Sequence, residues 1–208
     1  AISRSVISEL VNDTPFTKLL EQGIQNANQD ILDHTARHPE SSGMGTTSVC
    51  AIVEGNAVHL ANVGDSRAYV ISDDEIRGVT KDHSYVQALV DEGKITQAEA
   101  REHPKKNIIT KAVGISPSIE ADKSMLTLGS DESLLLCCDG VIAHLTDEDI
   151  HKIINDSPDP QSACQKIVDT ANERGGSDNI SLIILSSESS DIKEPDTTSD
   201  DAATIITS

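Results

Sequence analysis

The sequence predicts an α+β fold, with helices and antiparallel sheet in separate blocks of the chain. Two observations carry that prediction. Apolar residues recur at three-to-four spacing over residues 14–38. From Thr46 the period drops to two, in short β-favouring runs separated by turns rich in Gly, Asn and Asp. With 208 residues, the chain is long enough for one domain to bury a full core.

The first helix has Thr14 as its predicted N-cap and Pro15 as its first helical residue. Leu19, Leu20, Ile24, Ala27, Ile31 and Leu32 form its inward face, and Pro39 with the following Ser-Ser-Gly stops it. Strands are predicted over 48–53, 57–63 and 67–71, with a fourth at 75–79. The turns between them are Gly55-Asn56, Gly64-Asp65-Ser66 and Ser72-Asp73-Asp74, short enough to imply an antiparallel meander.

Residues 82–117 interrupt the sheet. Val86, Leu89 and Val90 mark a short helix ending at Gly93, and Thr96 with Glu99 forms a capping box for another that Pro104 ends. An excursion of this length between strands points to a functional flap, about 80–116. Strands resume at 125–128 and 133–138. Thr146 and Asp149 open a helix carrying Ile150, Ile153 and Ile154; Asp159-Pro160 opens the next, with Cys164, Ile167, Val168 and Ala171 inward and Gly175-Gly176 closing it. A last strand covers 180–185. Residues 1–186 thus read as one domain, and the Ser-, Asp-, Glu- and Thr-rich stretch 187–208 as a disordered acidic tail.

Composition removes several functions. Aromatic residues are 1% of the chain, so the core is aliphatic and stacking on bases or sugars is disfavoured. Sixteen basic against 35 acidic residues leave a formal charge of −19, a field that repels nucleic acid and anionic membranes. Cys50, Cys137, Cys138 and Cys164 show no Cys-x-x-Cys pairing and read as reduced, buried small hydrophobes, which suits a cytoplasmic protein. No signal peptide or run of membrane-spanning length is visible. The chain starts Ala1-Ile2-Ser3 within a helical pattern, which reads as a fragment.

Three aspartates stand apart by position. Asp139 ends the run Leu134-Leu135-Leu136-Cys137-Cys138; Asp178 sits in Gly175-Gly176-Ser177-Asp178-Asn179 before the last strand; Asp65 lies in the turn Gly64-Asp65-Ser66-Arg67. If the strands at 133–138 and 180–185 run antiparallel, Asp139 and Asp178 share a sheet rim that Asp65 can join. Aspartates without histidine or thiolate companions suit Mg²⁺ or Mn²⁺ better than zinc. Each motif is also a common turn sequence, because Asp and Asn bond nearby backbone and Gly accepts positive φ. Arg67 is open to two readings, a buried partner for Asp65 or a phosphate ligand. His83 and His103 flank the flap helices and read as surface or capping residues.

Together these segments resemble the type-2C, metal-dependent protein phosphatases, particularly their bacterial branch. Gly43-Met44-Gly45-Thr46-Thr47 is similar to that family's Gly-x-Gly-Thr-Thr segment, and Ala61-Asn62-Val63-Gly64-Asp65-Ser66-Arg67-Ala68-Tyr69 to its most recognisable block. The flap resembles the bacterial one at Thr80-Lys81-Asp82-His83-Ser84, at Leu89-Val90-x-x-Gly93-x-Ile95-Thr96 and at His103-Pro104-x-x-Asn107-x-Ile109-Thr110. Cys138-Asp139-Gly140 and Gly176-Ser177-Asp178-Asn179-Ile180 resemble the Ser-Asp-Gly and Ser-Asp-Asn motifs, in the same order along the chain. The resemblance implies an α-β-β-α sandwich of two stacked antiparallel sheets. It also implies hydrolysis of phosphoserine and phosphothreonine on proteins by metal-activated water. Asp139 and Asp178 would serve two Mg²⁺ or Mn²⁺ ions, and Asp65 with Asp139 a third, weaker one. A phosphorylated protein is the implied substrate and a serine/threonine kinase the implied opposing partner.

Departures from the pattern accompany these matches. The family's opening strand pair, with its arginine and Asp-Gly-x-Gly-Gly segment, has no counterpart here, which implies an open sheet edge. After Asp139 the sequence runs Gly140-Val141-Ile142-Ala143-His144, where the family has Leu-x-Asp/Asn following the glycine. These departures motivate an alternative, a non-catalytic module that holds phosphoproteins or a kinase. An unrelated cation-binding α+β domain is the third reading.

Overall fold

The computed structural model describes residues 14–186 and the backbone of residues 204–207. Its strands form two antiparallel four-stranded sheets. The first holds β1 (Ser48–Glu54), β2 (Ala57–Val63), β5 (Asp122–Thr127) and β8 (Thr204–Thr207), in the order β5-β2-β1-β8. The second holds β3 (Arg67–Ile71), β4 (Ile76–Gly78), β6 (Ser133–Cys137) and β7 (Leu182–Ser186), in the order β4-β3-β6-β7. Helix α1 (Phe16–Arg37) covers the first sheet, and α5 (Asp147–Asn155) and α6 (Pro160–Glu173) cover the second. This is the four-layered sandwich that the family resemblance implied.

Alternation along the central strands builds three core layers, because successive side chains of a strand point to opposite faces. Cys50 and Ile52 of β1 meet Leu19, Leu20 and Ile24 of α1. Val49 and Ala51 point the other way, into the space between sheets, where Ala68, Val70, Leu134 and Leu136 face them. Tyr69, Ile71, Leu135 and Cys137 leave the far side of the second sheet and pack on Ile150, Ile167 and Ala171. Strands buried on both faces lose the polar alternation that usually marks an antiparallel sheet, which is why their runs read as almost wholly apolar.

The predicted meander fails at one point. β1 pairs with β2, and β3 with β4, but β2 and β3 lie in different sheets, and β3 pairs instead with β6. The link Gly64-Asp65-Ser66 carries the chain between layers. Gly64 has φ 105°, and a Cβ there would lie 2.3 Å from Thr47 Cγ2. The turn sequence announced a reversal, but which strand a doubly buried strand pairs with is a non-local choice.

Other differences are smaller. Pro15 is extended, with ψ 134°, so it caps α1 rather than starting it; its carbonyl accepts from the amides of Lys18 and Leu19, and no side chain caps the helix. β5 begins at Asp122 and β7 at Leu182, and a single turn of helix, α4 (Asp139–Ile142), follows β6. The predicted capping box at Thr96 forms, and Thr146 and Asp159 open their helices as predicted, Thr146 making a second capping box with Asp149. Within the predicted disordered tail, Thr204–Thr207 is strand β8, antiparallel to β1 with Cys50 opposite Thr207. The β-branched run Thr204-Ile205-Ile206-Thr207 is the local reason, and it closes the outer edge of β1. Residues 187–203, and the helical pattern at the start of the chain, lie outside the described residues. Among the described residues no helix is long and apolar enough to cross a membrane.

The flap carries α2 (Tyr85–Asp91) and α3 (Gln97–Glu102) and is tied down at both ends. At its entry the Ala68 amide donates to Thr80 Oγ1 at 2.9 Å. At its exit Asn28 of α1, 3% exposed, donates to the Ser116 carbonyl and accepts from the Gly114 amide.

Replacing Gly64 by alanine adds a Cβ inside Thr47 and forces a non-glycine residue to positive φ. Gly64→Ala is expected to lower stability by about 2–4 kcal/mol, read as a fall in the urea midpoint at unchanged slope.

Candidate metal centre

Strand register brings the three sequence-predicted aspartates to one rim. Arg67 lies opposite Cys137, and Cys137 opposite Leu182, so β3 starts, β6 ends and β7 starts at the same level. Three loops leave that rim, and each carries one aspartate: Asp65 before β3, Asp139 after β6, Asp178 before β7. In the neighbouring sheet, Thr47 Oγ1 lies 2.9 Å from Ser66 Oγ and joins the Asp65 loop to the strand beside it.

The Asp139 and Asp178 segments are fastened to each other. The Cys138 amide donates to the Ser181 carbonyl at 3.1 Å. The Cys138 thiol donates to the Asn179 carbonyl and its sulfur accepts from the Ser181 amide, both at 3.2 Å. Gly140 passes so close that a Cβ would lie 2.1 Å from the Asn179 oxygen, so no side chain fits there. Cys138 is half-buried, as is Cys164, whereas Cys50 and Cys137 are buried as predicted; burial pushes both buried thiols up to about 12.

Asp65 and Asp139 feel each other. The Asp65 carboxyl is half-buried, and its pKa rises to about 6, first because burial penalises its charge and second because Asp139 is close, with Asp82 adding to the repulsion. Such a pair of oxygen donors is the chemistry a hard divalent cation favours, since a cation between them removes the repulsion. Asp178 is at the same rim but turns back on its own loop, where Oδ1 accepts the Asn179 amide at 2.7 Å. Among the described residues, no group of three or more His, Cys, Asp or Glu side chains gathers closely enough to hold a metal ion. The donor type therefore fits Mg²⁺ or Mn²⁺, while the described donors make up only part of a coordination shell.

Arg67 has a different partner from either predicted one. Its Nε and Nη2 donate to the two carboxylate oxygens of Asp82 at 2.8 and 2.7 Å, and Nη1 donates to the Tyr69 hydroxyl at 3.0 Å. The Asp82 carboxylate holds the guanidinium well above its usual pKa despite burial. Tyr69 in turn reaches Asp147, which also pairs with Arg101 of α3 at 3.2 Å. This network runs from the second sheet to the entry of the flap at Asp82 and to its helix α3 at Arg101, and it commits Arg67 to structure.

His83, expected at the surface or as a cap, is instead nearly covered, its side chain 12% exposed. Nδ1 accepts the Gly64 amide at 3.0 Å, which places the ring proton on Nε2, 3.2 Å from Asp122 Oδ1. Its own amide donates to the Gly64 carbonyl, and its carbonyl accepts from Thr110. His83 thus couples the Asp65 loop to the flap, a role that no spacing in the sequence signals. His103 does cap locally, Nδ1 accepting the Lys105 amide.

The sequence profile described as Protein phosphatase 2C matches residues 3–89 and 95–180. The chain belongs to that family. A serine/threonine phosphatase Stp of Listeria innocua is 34% identical over 166 residues, covering 80% of this chain and 66% of the relative, so the chain spans just under two thirds of that protein's length. Among solved structures, serine/threonine phosphatase Stp1 from Staphylococcus aureus superposes with a TM-score of 0.82 at 31% identity, covering 90% of this chain and 76% of that one. The catalytic domain of the phosphatase PstP, in complex with two manganese ions, gives a TM-score of 0.75 at 30% identity over 88% of this chain and 79% of that one. Family membership agrees with the order of motifs from Gly43 to Ile180.

The raised Asp65 pKa has a definite sign. An acid whose pKa is higher folded than unfolded binds more protons when folded, so stability falls as pH rises from about 4 to about 6. In metal-free protein, Asp65→Asn is expected to raise the melting temperature at pH near 7.5, with the gain vanishing below about pH 4; thermal melts across that range measure it.

Proposed function

We propose that the chain is the larger part of a metal-dependent phosphatase that hydrolyses phosphoserine and phosphothreonine on proteins, and that it is by itself incomplete for the reaction. The observation that carries the reading is the placement of Asp65, Asp139 and Asp178 on three loops at one sheet rim, in a chain of this family, with Asp65 and Asp139 close enough to repel each other. In this reading Asp139 and Asp178 hold two Mn²⁺ or Mg²⁺ ions, and Asp65 with Asp139 serves a third. Ions bound there supply an activated water and neutralise the phosphoryl charge.

The chain's own contribution is positional. The Asp139 and Asp178 segments are fastened to each other through Cys138 and Gly140, which sets their backbones side by side before any ligand arrives. His83 keeps the Asp65 loop and the flap in register, so the flap borders the site on one side. The substrate is a phosphorylated protein, which makes a serine/threonine kinase the opposing partner. Free cysteines, two of them buried, agree with a cytoplasmic setting.

The test is phosphate release from a phosphothreonine peptide by the complete gene product, with and without Mn²⁺, beside Asp139→Asn. Release should require Mn²⁺ and fall roughly 100-fold or more in the variant, since even outer-shell changes at metal sites cost about 10–100-fold. Equal release by both proteins, or release indifferent to chelator, would reject the reading. No turnover by either, with phosphopeptide binding that ignores chelator, would establish the non-catalytic module instead.

A further inference from the structure

His144 belongs to the stretch in which this chain departs from its family, and it sits against the loop that carries Asp178. Its Nε2 lies 3.1 Å from Ser177 Oγ and accepts the Ser177 amide at 3.3 Å. The ring also packs on the Gly-Gly turn: a Cβ at Gly175 would lie 3.3 Å from His144 Cε1. Gly175 and Gly176 have φ of 137° and 50°, a conformation that other residues rarely adopt, so this turn is specific to glycine. The same segment is held from behind. Arg174 donates to the His144 carbonyl at 3.1 Å and pairs with Asp149 of α5.

Asp178 therefore sits between two fastenings supplied by one stretch of chain. Cys138 and Gly140 hold Asn179 and Ser181 on its C-terminal side, and His144 holds Ser177 on its N-terminal side. Asp139 lies within that same stretch. The Gly175 and Gly176 amides bond back to the Asn172 and Ala171 carbonyls of α6 at 3.1 and 3.2 Å, so without the His144 contact the loop is held only as far as Gly176, and Ser177 with the Asp178 carboxylate gains freedom relative to Asp139.

We infer that His144 is a positioning residue: by accepting the Ser177 amide, it sets where the Asp178 carboxylate stands relative to Asp139. The inference rests on the proposed role of Asp178 as a metal ligand. The neutral ring with its proton on Nδ1 is the form that accepts at Nε2. A glutamine at this position presents its amide oxygen near the same place and replaces the acceptor, whereas alanine removes it.

The experiment has two readouts on the full chain. Amide exchange of residues 177–179 in metal-free protein reports whether the loop is held, and calorimetric titration with Mn²⁺ reports whether the ligand is placed. His144→Ala should speed exchange of those amides and weaken Mn²⁺ binding about tenfold, the scale of a lost outer-shell contact, while the global unfolding midpoint moves little. His144→Gln should restore both. Wild-type exchange and wild-type Mn²⁺ affinity in His144→Ala would overturn the inference, as would losses that glutamine fails to rescue and that track a lowered midpoint. Asp178→Asn separates this from the underlying reading. Unchanged Mn²⁺ affinity in that variant rejects Asp178 as a ligand, and the exchange data then decide alone whether His144 holds the loop.

Discussion

The rim depends on two places where backbone meets its neighbour with no space for a side chain. At Gly64 the Cβ position is filled by Thr47, and at Gly140 by the carbonyl of Asn179. Each glycine stands beside one of the three aspartates, so the close approach that excludes a side chain also decides where the adjacent carboxylate points. Because interiors are close-packed and resist displacement, such contacts transmit position without hinges. The Thr47–Ser66 hydroxyl pair and the Cys138 sulfur contacts extend the same fastening outward, from first sheet to second and from β6 to β7.

That rigidity has an electrostatic consequence. Burial of the Asp65 carboxyl first, and the nearby Asp139 second, raise its pKa to about 6. Arg67, whose pull on Asp65 is the weakest of the influences acting there, is already engaged by both oxygens of Asp82 and by Tyr69. A bidentate arginine–carboxylate pair is strong and directional, so little of its charge is left for Asp65. The protein thus neutralises its structural arginine internally and leaves the rim carboxylates short of a counter-charge, an arrangement suited to receiving a cation from solution.

The flap is bound to this frame through a few polar side chains. Thr80, Asp82 and His83 anchor its entry, Asn28 anchors its exit, and the Arg101–Asp147 pair links α3 to the N-terminal turn of α5. The first four contacts are half-buried or buried, whereas Arg101 and Asp147 are both open to solvent. The exposed pair is the weaker fastening, since screening reduces such pairs to a fraction of a kcal/mol or so. Movement of the flap would begin there, with the base of the flap staying in register with the Asp65 loop.

The local chemistry of the sequence determined the elements and their caps. Thr96 with Glu99, Thr146 with Asp149, and Asp159 ahead of Pro160 fold as their spacing requires, because a cap is satisfied within one turn. The aliphatic runs marked the strands, and the order of motifs marked the family and the three aspartates. Tertiary structure alone decided the rest. That β2 and β3 part into different sheets, that Thr204–Thr207 closes the edge of β1, and that Arg67 chooses Asp82 over Asp65 are choices among distant partners of similar local character. His83 and His144 carry no spacing signal, because each supports a backbone amide brought close by the fold: Gly64 is 19 residues from His83 and Ser177 is 33 from His144. A contact across that distance has no local energy to reveal it: the pairing of β6 with β7 brings Ser177 to His144, and the crossing of the chain from β2 to β3 between sheets brings Gly64 to His83.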